Sequence, residues 1–254
     1  MKKKSENIGN NFLFFITLII ATIITEFIIK VKNIPDYILP KPSVIFKNIY
    51  EDRILLLHHS LTTISEALIG FIISIILAFL IGAIIYNKKF IKAILYPFLL
   101  ISQTIPLIAI APIILIWFGF GILPKIIIVV IVCIFPILIS FLDGLTSVDV
   151  EQINLFKIMK AKPYEIFFKC ILPSSMTSFF AGLKISATYA IMGAIIGEWL
   201  GAENGLGIYM TRALTSFKTP ALFGAIILII ILSIILFKLV EAIEYLFMPW
   251  KWRK

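Results

Sequence analysis

The apolar residues of this chain are gathered into long runs bounded by charged residues or turn signals. A bilayer core about 30 Å thick takes roughly 20 helical residues to cross. Six runs suit that length, at about residues 12–29, 61–86, 94–118, 126–142, 183–200 and 221–240. Each predicts a membrane-spanning helix, and together they predict an all-α polytopic membrane protein. The first run follows Lys2, Lys3 and Lys4 in the manner of a signal peptide. Ile29, Lys30, Val31 and Lys32 then offer no small-residue cleavage site, so it reads as an uncleaved span.

Two connections are too long to be turns. Residues 31–60 hold Pro35, Pro40 and Pro42, then an amphipathic stretch through Val44, Ile45, Ile49 and Tyr50. This predicts a lateral helix on the membrane surface. Residues 143–182 are polar at first and amphipathic after that. Within them Leu155, Phe156, Ile158 and Met159 precede Ala161-Lys162-Pro163, and Ile166, Phe167, Phe168, Ile171 and Leu172 follow. Pro163 suits the first turn of a new helix, and Leu172-Pro173 reads as its stop. The pattern fits equally a docking element and a helix pair lying along the membrane. The chain therefore divides into an N-terminal span with its lateral segment (1–60), a transmembrane core (61–245) interrupted by the loop at 143–182, and a short tail (246–254).

Composition narrows the classes. Of the 254 residues 61% are hydrophobic and 15% charged, against roughly 45–50% and about 25% in soluble domains, so a soluble globular protein is excluded. The 22 Phe and the Ile/Leu runs exclude a disordered chain. Two cysteines without framework spacing exclude a disulfide scaffold. The net charge of +9 would suit nucleic acid, but its lysines and arginines sit in short clusters between the runs, as topology determinants do. With the N-terminus cytoplasmic, 15 of the 23 basic residues fall inside, which places both termini in the cytoplasm. Trp250 and Trp252, beside Lys251 and Arg253, read as an interfacial anchor.

Four motifs in order carry a family resemblance. They are Leu39-Pro40-Lys41-Pro42-Ser43, then Ile105-Pro106 through Pro112 to Trp117-Phe118-Gly119-Phe120-Gly121, then the segment from Asn154 to Pro173, and last Phe180 to Ile185 followed by Gly197-Glu198-Trp199-Leu200-Gly201-Ala202 and Gly205-Leu206-Gly207. This set is similar to permeases of type I ATP-binding-cassette (ABC) importers, in the subgroup that handles nitrate, sulfonates, taurine and thiamine precursors. The loop signature is degenerate, with Asn154, Leu155, Lys160 and Cys170 where the family has Glu, Ala, Gly and Ile. Ala161, Leu172 and Pro173 keep the family spacing.

The resemblance implies a six-helix, MetI-like permease fold with a cytoplasmic coupling helix, in a prokaryotic plasma membrane. It implies a cytoplasmic ATPase dimer as partner, an extracytoplasmic binding protein, and a permease homodimer. Coupling to the ATPase is implied for Lys160, Ala161, Lys162, Pro163, Glu165, Phe167, Phe168, Leu172 and Pro173. The chain holds no G-x-x-x-x-G-K-[ST] phosphate loop, so the permease is expected to have no ATPase site of its own, no cofactor and no metal. The wording from Phe179 to Ala202 is closest to permeases for thiamine-precursor pyrimidines and, next, riboflavin. Nitrate, sulfonate and taurine permeases are the more distant alternatives, and an ion-coupled secondary transporter is the alternative of a different class.

Candidate path residues are Gln103, Thr104, Pro106, Ser186, Tyr189, Met192 and Glu198, with Ser102 and Thr188 beside them. The Pro106 break frees backbone carbonyls. Charges within spans each need an account. Glu26 is expected to reach the interface and Glu66 to cap or pair. For Glu198 an outer gate, a binding-protein contact and a structural hydrogen bond all remain open. His58 and His59 are expected to be solvated rather than ligands.

Overall fold

The computed structural model describes residues 2–86, 89–102 and 104–249. Gln103 and the tail from Trp250 onward lie outside them. Among the described residues the regular secondary structure is all helix, and the chain divides into two compact units.

The first unit comprises residues 1–58 and 209–228. Helix α1 (Lys2–Val31) contains the first expected span. It ends where Asn33 takes a left-handed conformation (φ 50°) and the Ile34 N–H reaches back to the Ile29 carbonyl at 3.2 Å, a Schellman closure. Helix α2 (Pro42–Glu51) is the expected lateral helix, opened by Pro42 at its first turn. Its N-terminus is capped from another helix: the Glu26 carboxylate accepts the Ser43 N–H at 3.0 Å and the Ser43 hydroxyl at 2.6 Å. Glu26 thus acts on the positive end of a helix dipole instead of simply reaching the interface. Asp52, just after α2, accepts from the Tyr209 hydroxyl at 2.9 Å.

The second unit comprises residues 59–208 and 229–254. It holds most of α3 (Arg53–Tyr86), then α4 (Lys89–Ser102), α5 (Leu107–Phe118), α6 (Ile122–Thr146), α7 (Val150–Ile158), α8 (Pro163–Ile166) and α9 (Leu172–Trp199). The first residues of α10 (Leu206–Thr215) and the second half of α11 (Thr219–Phe247) complete it. Among the described residues α3, α6, α11 and the helical stretch Pro163–Trp199 are each long and apolar enough to cross a membrane, and α5 is a shorter apolar helix.

Two expected boundaries change. The run at 94–118 is not one helix but α4 and α5, separated around Pro106, whose missing N–H and fixed φ stop the helix. Leu172-Pro173 does not stop α8 either. A π-helical turn, Phe167–Ile171, joins α8 to α9, and the Leu172 N–H bonds the Phe167 carbonyl five residues back. This wider turn gives Pro173 a place in the first turn of α9.

Small residues set how closely the helices pack. A methyl group on Gly70 would stand 2.6 Å from the Val129 side chain, and one on Gly182 would stand 2.8 Å from the Pro136 carbonyl oxygen. Hydrogen, not carbon, at these positions lets α3 and α9 lie against α6. Polar cross-links reinforce the contacts: the Ser74 hydroxyl lies 3.3 Å from the Val130 carbonyl, and the Ser186 hydroxyl donates to the Cys133 carbonyl at 2.9 Å. Phe79, Phe141 and Phe179 stack in one cluster, with centroids of Phe79 and Phe141 5.3 Å apart. Lys184 of α9 pairs with Glu244 of α11 at 2.8 Å.

Candidate functional site

Three features of the second unit carry chemistry. The first is a buried polar cluster where α9 turns into α10. The loop 200–205 returns the chain so that the first N–H groups of α10 face α3 and α9. Those orphan donors need acceptors, and three side chains supply them. His59 Nδ1 accepts from the Gly205 N–H at 2.9 Å, Thr63 Oγ1 from the Leu206 N–H at 2.9 Å, and Glu198 Oε2 from the Gly207 N–H at 2.6 Å. The Thr63 hydroxyl lies 2.7 Å from Glu198 Oε1, with the His59 carbonyl at 3.1 Å.

Glycine is required at this closure. Gly205 has φ +126°, and a methyl there would fall 2.2 Å from the Glu198 carboxyl carbon. The Gly-Glu-Trp-Leu-Gly motif and the glycines after it therefore build one helix cap. His59 is buried and committed to that cap, not solvated as expected, because its Nδ1 lone pair accepts from the Gly205 N–H, a backbone donor with no intrahelical partner. Of the roles open for Glu198, the structure provides the hydrogen-bonding one.

Lys125 extends the cluster. Sequence places it in a loop, yet it sits in the first turn of α6, buried, with its ammonium 2.6 Å from Glu66 Oε1. Glu66 is 2% exposed, so the pair compensates charge in a place where an isolated ion would be costly. Gly197 of α9 allows the approach, since a methyl there would meet Lys125 Cα at 3.1 Å.

The second feature is a cavity of about 380 Å³ at the break between α4 and α5, the size of a small-molecule site. Thr104, Pro106, Tyr189 and Met192 line it, as do Ser102, Val132, Phe135 and Pro136. Four of the expected path residues are thus brought together. Ser186 and Glu198 are not among them: Ser186 is fully buried on Cys133, and Glu198 caps α10. Val132, Phe135 and Pro136 were missed by sequence reasoning, although a proline inside an apolar run was a readable signal.

The third feature is the segment from α7 to the π turn. Asp149 caps α7 through the Glu151 N–H at 2.9 Å. The helix ends with Lys160 in a left-handed conformation (φ 56°) and the Ala161 N–H bonded to the Phe156 carbonyl at 3.0 Å. Lys160 stands where a Schellman closure usually has glycine. Glu165 Oε2 then accepts the Lys162 N–H at 2.8 Å, which is the returning half of a capping box, since a lysine side chain has no acceptor. Leu155, Ile158, Met159, Tyr164 and Phe168 are exposed. Phe167 is half-buried, its ring 5.6 Å from that of Tyr86, and Cys170 and Ile171 are buried. Ala161, Leu172 and Pro173 are half-buried, and Lys162 and Pro163 exposed.

Long apolar helices, cross-linked within their bundle and bordering a solute-sized cavity at a helix break, define a polytopic α-helical membrane protein. No group of three or more metal-ligating side chains occurs among the described residues. Residues 70–253 match the family described as binding-protein-dependent transport system inner membrane component, and the chain belongs to that family. It is an ABC transporter permease.

Among its relatives, the formylaminopyrimidine transport permease protein ThiX of Halalkalibacterium halodurans is 35% identical over 94% of both chains. The riboflavin transport system permease protein RibX of Chloroflexus aurantiacus is 28% identical over 93% of this chain and 89% of that one. The putative aliphatic sulfonates transport permease protein SsuC of Bacillus subtilis is 26% identical over 84% and 78%. In fold the chain resembles an amino acid ABC transporter solved with histidines (TM-score 0.63, 16% identity, 78% of this chain and 97% of that one). It also resembles the MetNI methionine ABC transporter in inward-facing form (TM-score 0.61, 17% identity, 74% and 95%). The fold is the MetI-like fold of ABC importer permeases.

Proposed function

We propose that this permease forms, as a homodimer, the path by which a thiamine-precursor pyrimidine enters the cell. The solute is delivered by an extracytoplasmic binding protein, and a cytoplasmic ATPase dimer drives the cycle. The observation that carries the substrate is the 35% identity to a formylaminopyrimidine permease over 94% of both chains. The cavity beside Tyr189 and Met192 agrees with it. Among its lining residues that the structure describes, the only ionisable side chain is the Tyr189 phenol, which suits an uncharged aromatic solute better than a sulfonate.

The exposed apolar side chains of α7 and α8 support ATPase docking. An amphipathic surface of Leu155, Ile158, Met159, Tyr164 and Phe168, flanked by Lys162 and Lys169, has the apolar centre and charged rim of an interface. The chain supplies the path and the ATPase supplies the hydrolytic site. Both termini lie in the cytoplasm, consistent with the positive-inside count.

The test is uptake of a radiolabelled aminopyrimidine into vesicles. Accumulation is expected only with the ATPase, ATP and the binding protein together. Accumulation on an ion gradient by vesicles that hold this chain alone would overturn the importer reading.

A further inference from the structure

Glu66, Lys125 and Glu198 stand on three helices at one buried junction, and their charges do not balance. The Lys125 ammonium occupies Glu66 Oε1 at 2.6 Å. The other oxygen of that carboxyl, Oε2, is buried and meets no hydrogen-bond donor among the described residues. An ionised oxygen enclosed in this way has given up water without gaining a partner, which is costly.

Glu198 lies beside it. Thr63 and Glu66 are three residues apart and share a face of α3, and the Thr63 hydroxyl lies 2.7 Å from Glu198 Oε1. The two carboxyl groups are within hydrogen-bonding reach of each other. Glu198 is fully buried and accepts the Gly207 N–H at Oε2. A carboxylate has room for further donors beyond that one, so a proton on Glu66 Oε2 would find an acceptor in Glu198.

The groups around the pair supply one full positive charge for two carboxyls. Lys125 of α6 is that charge. His59 of α3 accepts a hydrogen at Nδ1, which leaves its ring neutral. Glu203, in the loop 200–205, is exposed and adds a charge of the wrong sign. The first turn of α10 contributes backbone N–H groups and the partial charge of a helix dipole, roughly half of a second cation. Two carboxyls that share one buried site do not both ionise when a single cation faces them.

We propose that Glu66 and Glu198 form a proton-binding site, with one proton held between Glu66 Oε2 and the Glu198 carboxylate. The proton makes Oε2 a donor, Lys125 stays paired through Oε1, and the junction of α3, α6 and α9 becomes neutral. This goes beyond the transport reading and holds whatever solute the permease carries.

The experiment is infrared spectroscopy of the purified full-length permease at neutral pH, in H₂O and in D₂O. A protonated carboxyl absorbs apart from carboxylates and amides, and its band shifts on deuteration. The native spectrum is expected to contain such a band. Glu66→Gln and Glu198→Gln are each expected to abolish it, because either substitution leaves one carboxylate matched by Lys125. A native spectrum without the band overturns the inference, since both carboxyls are then ionised. A band that survives either substitution also overturns it, because the proton is then not shared by the two. Each glutamine keeps an acceptor and a donor at the junction; should one variant fail to purify, the other decides. The variant with both substitutions leaves the Lys125 ammonium without a carboxylate, and its yield of folded permease is expected to fall at least about fivefold. An unchanged yield would overturn the charge count on which the shared proton rests.

Discussion

Lys160 holds a backbone conformation that glycine adopts freely and an L side chain resists. Its left-handed φ of 56° carries a penalty of about 1–2 kcal/mol, so Lys160→Gly is expected to stabilise the protein by about 1 kcal/mol, read as a higher midpoint in thermal unfolding in detergent. The loop signature is degenerate in residue type at this position, yet its turn survives. Glu198 offers a sharper contrast. In Glu198→Gln the amide oxygen can still accept from Gly207, while the Thr63 hydroxyl turns its proton to the His59 carbonyl and accepts from the amide NH₂. Glu198→Ala leaves the Gly207 donor and the Thr63 hydroxyl without their carboxylate. The glutamine variant is expected to lose under about 1 kcal/mol and the alanine variant about 3 kcal/mol, by the same unfolding measurement, because an orphaned buried donor costs more than a rearranged one.

At the scale of elements, hydrophobic runs located five of the six expected spans as continuous helix, because a bilayer-length apolar segment has no other way to satisfy its backbone. The break at Pro106 was legible as a proline. The continuity from Pro163 to Trp199 was not, because a π turn has no residue signature and Pro173 looks like a stop unless the preceding turn is widened. The polar cluster was legible only in parts: His59 and Glu66 of α3 stand far from Glu198 in sequence, and His59 and Glu198 accept from backbone N–H groups that no residue letter marks.

The segment from α7 to the π turn also separates two phenylalanines that sequence treats alike. Phe168 is 61% exposed, whereas Phe167 packs on Tyr86 and against the core. Phe168→Asp is therefore expected to reduce copurification with the ATPase at least tenfold while the permease still inserts and purifies normally. Phe167→Asp is expected to lower the yield of folded permease, because it brings a charge to a packed site.

For the whole molecule, composition supplies the solvent and the distribution of charge supplies the expected orientation. Buried ion pairs then account for charges that a count cannot place. Lys125 and Lys184 each hold a glutamate of another helix. The π turn has a consequence for chain length. A π turn holds one more residue than the α turn it replaces, and each residue rotates an α-helix by about 100°. Shortening Phe167–Ile171 by a single residue would leave both flanking sequences intact and restore regular α-helix. It would also swing the exposed face of α8 by about a quarter of a turn relative to α9. The direction in which Tyr164 is presented is thus stored as one surplus residue, a register that substitution scanning would pass over and a one-residue deletion would expose.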